Sequence, residues 1–303
     1  MNNKFLRMIL LTAGLFFFTG SANANPALSF FKDIEVHGFA SSSYTANFND
    51  PSTAVNNLRI FDTDSNSFKF DVGELVMLKS TPNKGDIGFR TDVTFGFSVP
   101  EVAKSAPGPN VAIGPGFDVS DDDFDLQQGY VSYNAPIGNG LQLDLGKFIT
   151  HIGLEVIEGY DGWNYNYSRS FLFGLAIPFT HTGLRGSYEI NDKVSILGMV
   201  ANGWDQETDI NDGKTFGTQI AVTPIENVTI LFNWAGGPET TDESNWRHIF
   251  DVVASIAITD KTELQLNFDY GMEENTSLVT PGDDAEWWGF AGVIRHDFNN
   301  WFS

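Results

Sequence analysis

Residues Thr81–Val99 read TPNKGDIGFRTDVTFGFSV. A turn cluster, Thr81-Pro82-Asn83-Lys84-Gly85, opens the stretch. Ile87, Phe89, Thr91, Val93, Phe95, Phe97 and Val99 then fall at every second position, with Gly88, Arg90, Asp92, Thr94, Gly96 and Ser98 between them. A strand points successive side chains to opposite faces, so this pattern predicts one greasy face and one polar face. The apolar run exceeds the ~5–6 residues of a common soluble strand. It approaches the ~9–11 residues that a tilted strand needs to cross a bilayer.

The rest of the chain repeats the unit. Strands are predicted at 34–48, 68–78, 124–133, 141–150, 181–190, 194–204, 215–223, 228–234, 247–258, 262–270 and 286–296, giving twelve with the first one quoted. Short turns near 81, 136, 191, 225, 260 and 298 alternate with long polar connections. Transmembrane up-and-down barrels have this asymmetry, whereas Greek-key sandwiches mix their connection lengths. The expected fold is an all-β, antiparallel, up-and-down transmembrane β-barrel, closed because an open edge in hydrocarbon strands backbone N–H and C=O groups. Two strands fit poorly. Val194–Trp204 is apolar on both faces in part, and 68–78 puts Glu74 on the greasy side unless a β-bulge shifts the phase.

The N-terminus reads as a secretory signal over residues 1–24, with the barrel domain following at 25–303. Lys4 and Arg7 precede the apolar run Met8–Phe18 and the small-x-small site Ala22-Asn23-Ala24. No later run approaches the ~20 residues of a spanning helix. The chain is 42% apolar and 14% aromatic, which excludes disorder. It has no cysteine, so no disulfide framework supports it. The formal charge of −22 becomes −24 once Lys4 and Arg7 leave with the signal. Such a surface excludes nucleic acid as a partner and favours cations.

The middle of the chain carries a more specific pattern. Gly146-Lys147-Phe148 is followed by Gly153, Glu155, Asn166-Tyr167-Ser168-Arg169-Ser170, Phe173, Pro178-Phe179, and His181-Thr182-Gly183 with Arg185. This order resembles the OmpL-like β-barrel porin family of Gram-negative bacteria, over roughly 34–296. The resemblance implies an outer-membrane location, diffusion of small hydrophilic solutes, no cofactor and no catalytic residues. Barrels of this kind usually finish on a strand with an aromatic end. This sequence stops at Ser303 just past a turn, so a C-terminal truncation is expected and the barrel as given need not close.

Candidate pore-lining residues are the polar members of the alternating strands: Arg90, Asp92, Arg185, Glu189, Gln219, Glu263, Gln265, Asn267 and Asp269. They are placed inside because a charge on the lipid face costs ~2–4 kcal/mol at the midplane. The long segment from His151 to Phe179 offers a second group, the constriction candidates Glu155, Glu158, Asp161 and Arg169. Folded inward, it sets opposite charges across a lumen; left outside, it is an external loop with an aromatic girdle. The acidic run Asp118, Ser120–Asp123 and Asp125 lacks the Gly and Glu of an EF-hand and reads as a solvated loop, with lipopolysaccharide bridging through divalent cations as its looser role. No metal site is assigned. Ser168 or Ser170 with His151 or His181 gives no nucleophile elbow, and Gly138-Asn139-Gly140 is a turn. The reading is therefore a cation-preferring porin that is not an enzyme. Its rivals are a non-conducting adhesin-like barrel and a secreted carbohydrate-binding β-protein. Homo-oligomers are common among porins, but no interface is legible here.

Overall fold

Alternation drives the chain into strands, and the short turns pair each strand with the next. The computed structural model describes residues 31, 33–103, 124–240, 245–299 and 302–303. The signal segment 1–24 and the run Asp118–Asp123 lie outside the described residues. The strands are β1 (Glu35–Thr45), β2 (Ser67–Lys79), β3 (Ile87–Phe95), β4 (Phe124–Ala135), β5 (Leu141–Ile149) and β6 (Thr180–Asn191). They continue as β7 (Val194–Ala201), β8 (Thr215–Ile225), β9 (Val228–Pro238), β10 (Trp246–Thr259), β11 (Thr262–Glu273) and β12 (Ala285–His296). They form one antiparallel sheet in the order β1 to β12. Two short helices, α1 (Val99–Ala103) and α2 (Phe171–Leu175), lie in connections. No described helix is long and apolar enough to cross a membrane.

The burial is inverted relative to a water-soluble domain. Among the described residues, buried polar and charged side chains outnumber buried apolar ones, while Phe216, Phe232, Phe268, Phe290 and Ile294 are exposed. Register explains the sorting. Ile220, Phe232, Val252, Phe268 and Phe290 are successive cross-strand partners from β8 to β12, and all belong to the outer set. One residue away, Gln219, Asn233, Asp251, Asp269 and Gly289 form the matching row on the other face. This is the greasy-out, polar-in arrangement of a lipid-facing sheet.

Among the described residues no ladder joins β1 to β12, yet the sheet curls on itself. Tyr165 donates to Glu263 on β11 (2.9 Å), and Tyr167 donates to Asp71 on β2 (2.6 Å). Two residues of chain span at most ~7 Å, so the two ends of the sheet face each other across this segment.

Four details depart from the regular pattern. β3 stops at Phe95 rather than running to Val99. Gly96 turns the chain at φ +132°, where a Cβ would sit 2.6 Å from the Asp71 carbonyl oxygen, and Val99 is buried in α1. β2 carries a bulge: Ser41 pairs with Val72 but Ser42 with Phe70, leaving Asp71 extra. The added residue flips the phase, so Phe68 and Phe70 stay exposed while Glu74 is buried. β7 ends at Ala201, and its second apolar face is explained by Met199 and Ala201 packing on Phe148. β8 also runs through Pro224, at a register shift between Val222 and Ile225 where proline's missing N–H is tolerated.

Candidate functional site

The segment 150–179 leaves β5 and turns onto the inner face. Gly153, at φ +94°, gives the chain the conformation it needs at that corner. Three bonds fasten the entry to the polar row. Gln219 donates to the His151 carbonyl (3.1 Å), Gly153 N–H donates to Asp251 (3.2 Å), and Leu154 N–H donates to the Asn267 side-chain oxygen (3.1 Å). Asn233 and Asn267 both donate to Asp251, and Asn267 also donates to Asp269 (3.0 Å). The row thus supplies amide donors to its own carboxylates and keeps acceptors for the segment.

The tip reaches the opposite wall. Tyr160 N–H donates to Glu74 (2.7 Å), and the Tyr160 ring stacks on His37 of β1 at 4.0 Å. Arg90 forks between Asp92 (2.8–2.9 Å) and Asp161. Gln128 adds a donor to Asp92 at 2.6 Å. The return limb, with Ile152 of the entry limb, packs an apolar plug of Ile152, Leu172, Phe173, Ala176, Ile177 and Phe179 against Phe61, Trp204 and Ile249. Trp287 of β12 donates to the Ala176 carbonyl (3.1 Å).

The predicted residues divide into groups. Arg90 and Asp92 meet Asp161 at the tip, and Gln219, Asn267 and Asp269 belong to the row under the entry limb. Glu263 accepts from Tyr165 and from Gln265 (2.9 Å each). Arg185 stands apart, bound to Asp144 (3.0 Å) and lying over Phe148 at 4.5 Å. Glu189 is exposed beside the β6–β7 turn and joins none of these. Within the segment, Glu158 pairs with Arg169 (3.0 Å), and Glu155 accepts from Ser170, the N-cap of α2. Glu155, Glu158 and Arg169 therefore brace the segment internally, and Asp161 alone of the four reaches across to the sheet.

Sequence reasoning missed Asp71, Asn233 and Asp251. Asn233 was recoverable as the complement of Val228, Ile230, Phe232 and Trp234. Asp71 was not, because the bulge that turns it inward has no periodic signal.

Burial sets the protonation of the loops. His151 is pushed down to about 4 and is neutral at pH 7. The Tyr167 phenol is raised by burial and by its bond to Asp71. Asp205 accepts from the N–H groups of Phe179 and Thr180 at 2.6 Å, yet burial pushes its carboxyl up to about 7. Glu239, which accepts from Trp204 N–H (2.6 Å), is likewise raised by burial to about 7.

The family model described as "Putative beta-barrel porin-2, OmpL-like" matches residues 33–303. The chain belongs to that family. It is accordingly an outer-membrane, porin-like β-barrel of the Gram-negative envelope, embedded in lipid and passing small solutes. No curated protein matches it in sequence. Among solved structures, it is similar to a loop L8 deletion mutant of OmpT, an outer membrane protein of Vibrio cholerae. That match has 11% identity and a TM-score of 0.41, covering 89% of this chain and 91% of the other. Pseudomonas aeruginosa OccD3 matches at 13% identity and a TM-score of 0.39, covering 75% and 50%. The NanC porin matches at 7% and 0.34, covering 75% and 94%. At these scores the family match carries the assignment.

Proposed function

We propose that this chain is a non-enzymatic channel for passive diffusion of small hydrophilic solutes, narrowed by the segment 150–179. The observation that carries the reading is the span of that segment from Glu263 to Asp71 across the inner face. Solutes pass beside it, along walls that include Arg90, Gln219, Glu263 and Gln265, with Asp92, Asn267 and Asp269 buried behind them as the charges and amides that hold the wall. Glu155, Glu158 and Arg169 keep the constriction rigid, and the Arg90–Asp161 contact closes its tip. Acidic groups dominate the inner face, with Asp71, Glu74, Asp144, Asp251 and Asp269 all buried there beside Arg90 and Arg185. That excess supports cation preference. Acidic external loops suit divalent-cation bridges to lipopolysaccharide phosphates, and homo-oligomers remain part of this reading.

Single-channel recording in planar bilayers tests it. Deleting 155–164 is expected to raise the conductance, and a salt gradient is expected to give a cation-selective reversal potential. Unchanged conductance removes the constriction, and anion selectivity removes the charge argument. A second reading, a barrel with no open lumen, draws on the complete burial of Asp92 and Asp269 and on the apolar plug. The absence of any conductance selects it.

A further inference from the structure

Between residues 154–166 and the inner face of β11–β12 lies a cavity of about 280 Å³. Its walls include Glu155, Trp163, Tyr165, Asn166, Gln265 and Arg295. Its volume falls just under the ~300–1,000 Å³ of pockets for drug-sized ligands, which suits a single ring. Trp163 is 66% exposed, although its segment lies on the inner face. An aromatic face left bare among amides and charges is a platform for the C–H edge of a hydroxylated ring, since the π-face carries partial negative charge.

The polar groups are placed for hydroxyl recognition. Asn166 brings an amide with both donors and an acceptor, and Gln265, which donates once to Glu263 (2.9 Å), keeps a second donor and its acceptor. Arg295 is held over the Tyr165 ring at 4.9 Å and donates through Nε to Asp297 (2.9 Å), and a guanidinium has five donors in all. The charges exclude an anion. Arg295 faces Glu263 as its cross-strand partner, pairs with Asp297, and shares the cavity with Glu155, so one guanidinium answers three carboxylates.

We propose that this cavity binds one neutral, hexose-sized sugar ring, stacked on Trp163 and hydrogen-bonded by Asn166, Gln265 and Arg295. The proposal deepens the channel reading and rests on it for how the solute arrives.

Saturation-transfer NMR of D-glucose and D-glucuronate, with the full chain in detergent micelles at one ionic strength, tests the site. A saturable glucose signal is expected, with ~tenfold weaker binding in Trp163→Ala, the loss of one aromatic contact. Glucuronate is expected to bind more weakly than glucose. If Trp163→Ala does not migrate as a heat-modifiable folded band, Gln265→Leu on the opposite wall is expected to give the same weakening. No saturable glucose signal, equal binding in the folded variant, or tighter binding of glucuronate overturns the proposal. Bilayer conductance of the same preparation separates the two readings: current without sugar binding ends only the sugar site, and sugar binding without current ends only the channel.

Discussion

Arg90 offers the sharpest separation of fold from function. It is 14% exposed and grips Asp92, which is fully buried, and Asp161, which is 44% exposed. Replacing Arg90 by Ala leaves Asp92 with Gln128 as its one remaining named side-chain donor. An uncompensated buried carboxylate of this kind costs ~3–5 kcal/mol. Replacing Asp161 by Asn breaks only the half-exposed contact, worth ~0–1 kcal/mol after solvent screening. Arg90→Met with Asp92→Leu removes both buried charges, and should recover most of the lost stability because the one carboxylate left unpaired, Asp161, is half-exposed and solvated. The assay is the urea midpoint of the folded, heat-modifiable band in detergent, with single-channel current recorded in parallel. Arg90→Ala should shift the midpoint strongly. Asp161→Asn should leave it in place while making the current noisier as the tip loosens. A midpoint for Arg90→Ala equal to that of Asp161→Asn would refute the reasoning, since Asp92 would then be solvated.

Two further outcomes follow from burial. Asp205 is raised from 3.8 to about 7, so its contribution to stability is complete below pH ~4 and is lost as pH rises through 7. At ~1.4 kcal/mol per unit the loss is up to about 4 kcal/mol, so Asp205→Asn should flatten the urea midpoint between pH 4 and 8, and an unchanged slope counts against it. Phe290 is 77% exposed on the outer row, and Phe290→Arg should cost ~2–4 kcal/mol in lipid vesicles if that row sits near the midplane. Equal stability of the two proteins there would mean that the row does not face hydrocarbon.

Strand number, strand order and the greasy face of β11 were legible because a period of two needs only local information. The same rule overran β3, since Phe97 and Val99 keep the alternation while Gly96 breaks the strand through a backbone angle that no pattern displays. Glu74 looked misplaced for the converse reason: the bulge at Asp71 is a single added residue, visible only against β1. The aromatic and charged content of 151–179 was plain, but whether it lay inside depended on Asp71, Glu74, Asp251 and Glu263. These lie on strands far away in sequence. Composition supplied the acceptors and the donors without saying which would meet.

The two tyrosines of the crossing segment reach 96 residues back to Asp71 and 98 forward to Glu263. Neither half of the chain can seat the segment alone, so it acts as a tally of completed assembly. Loop closure over such distances is slow to be repaid by contacts. Backbone amides at 165–167 should therefore be among the last to gain protection in a pulse-labelled refolding experiment. Early protection there would mean that the crosspiece is a scaffold for the wall and not its keystone.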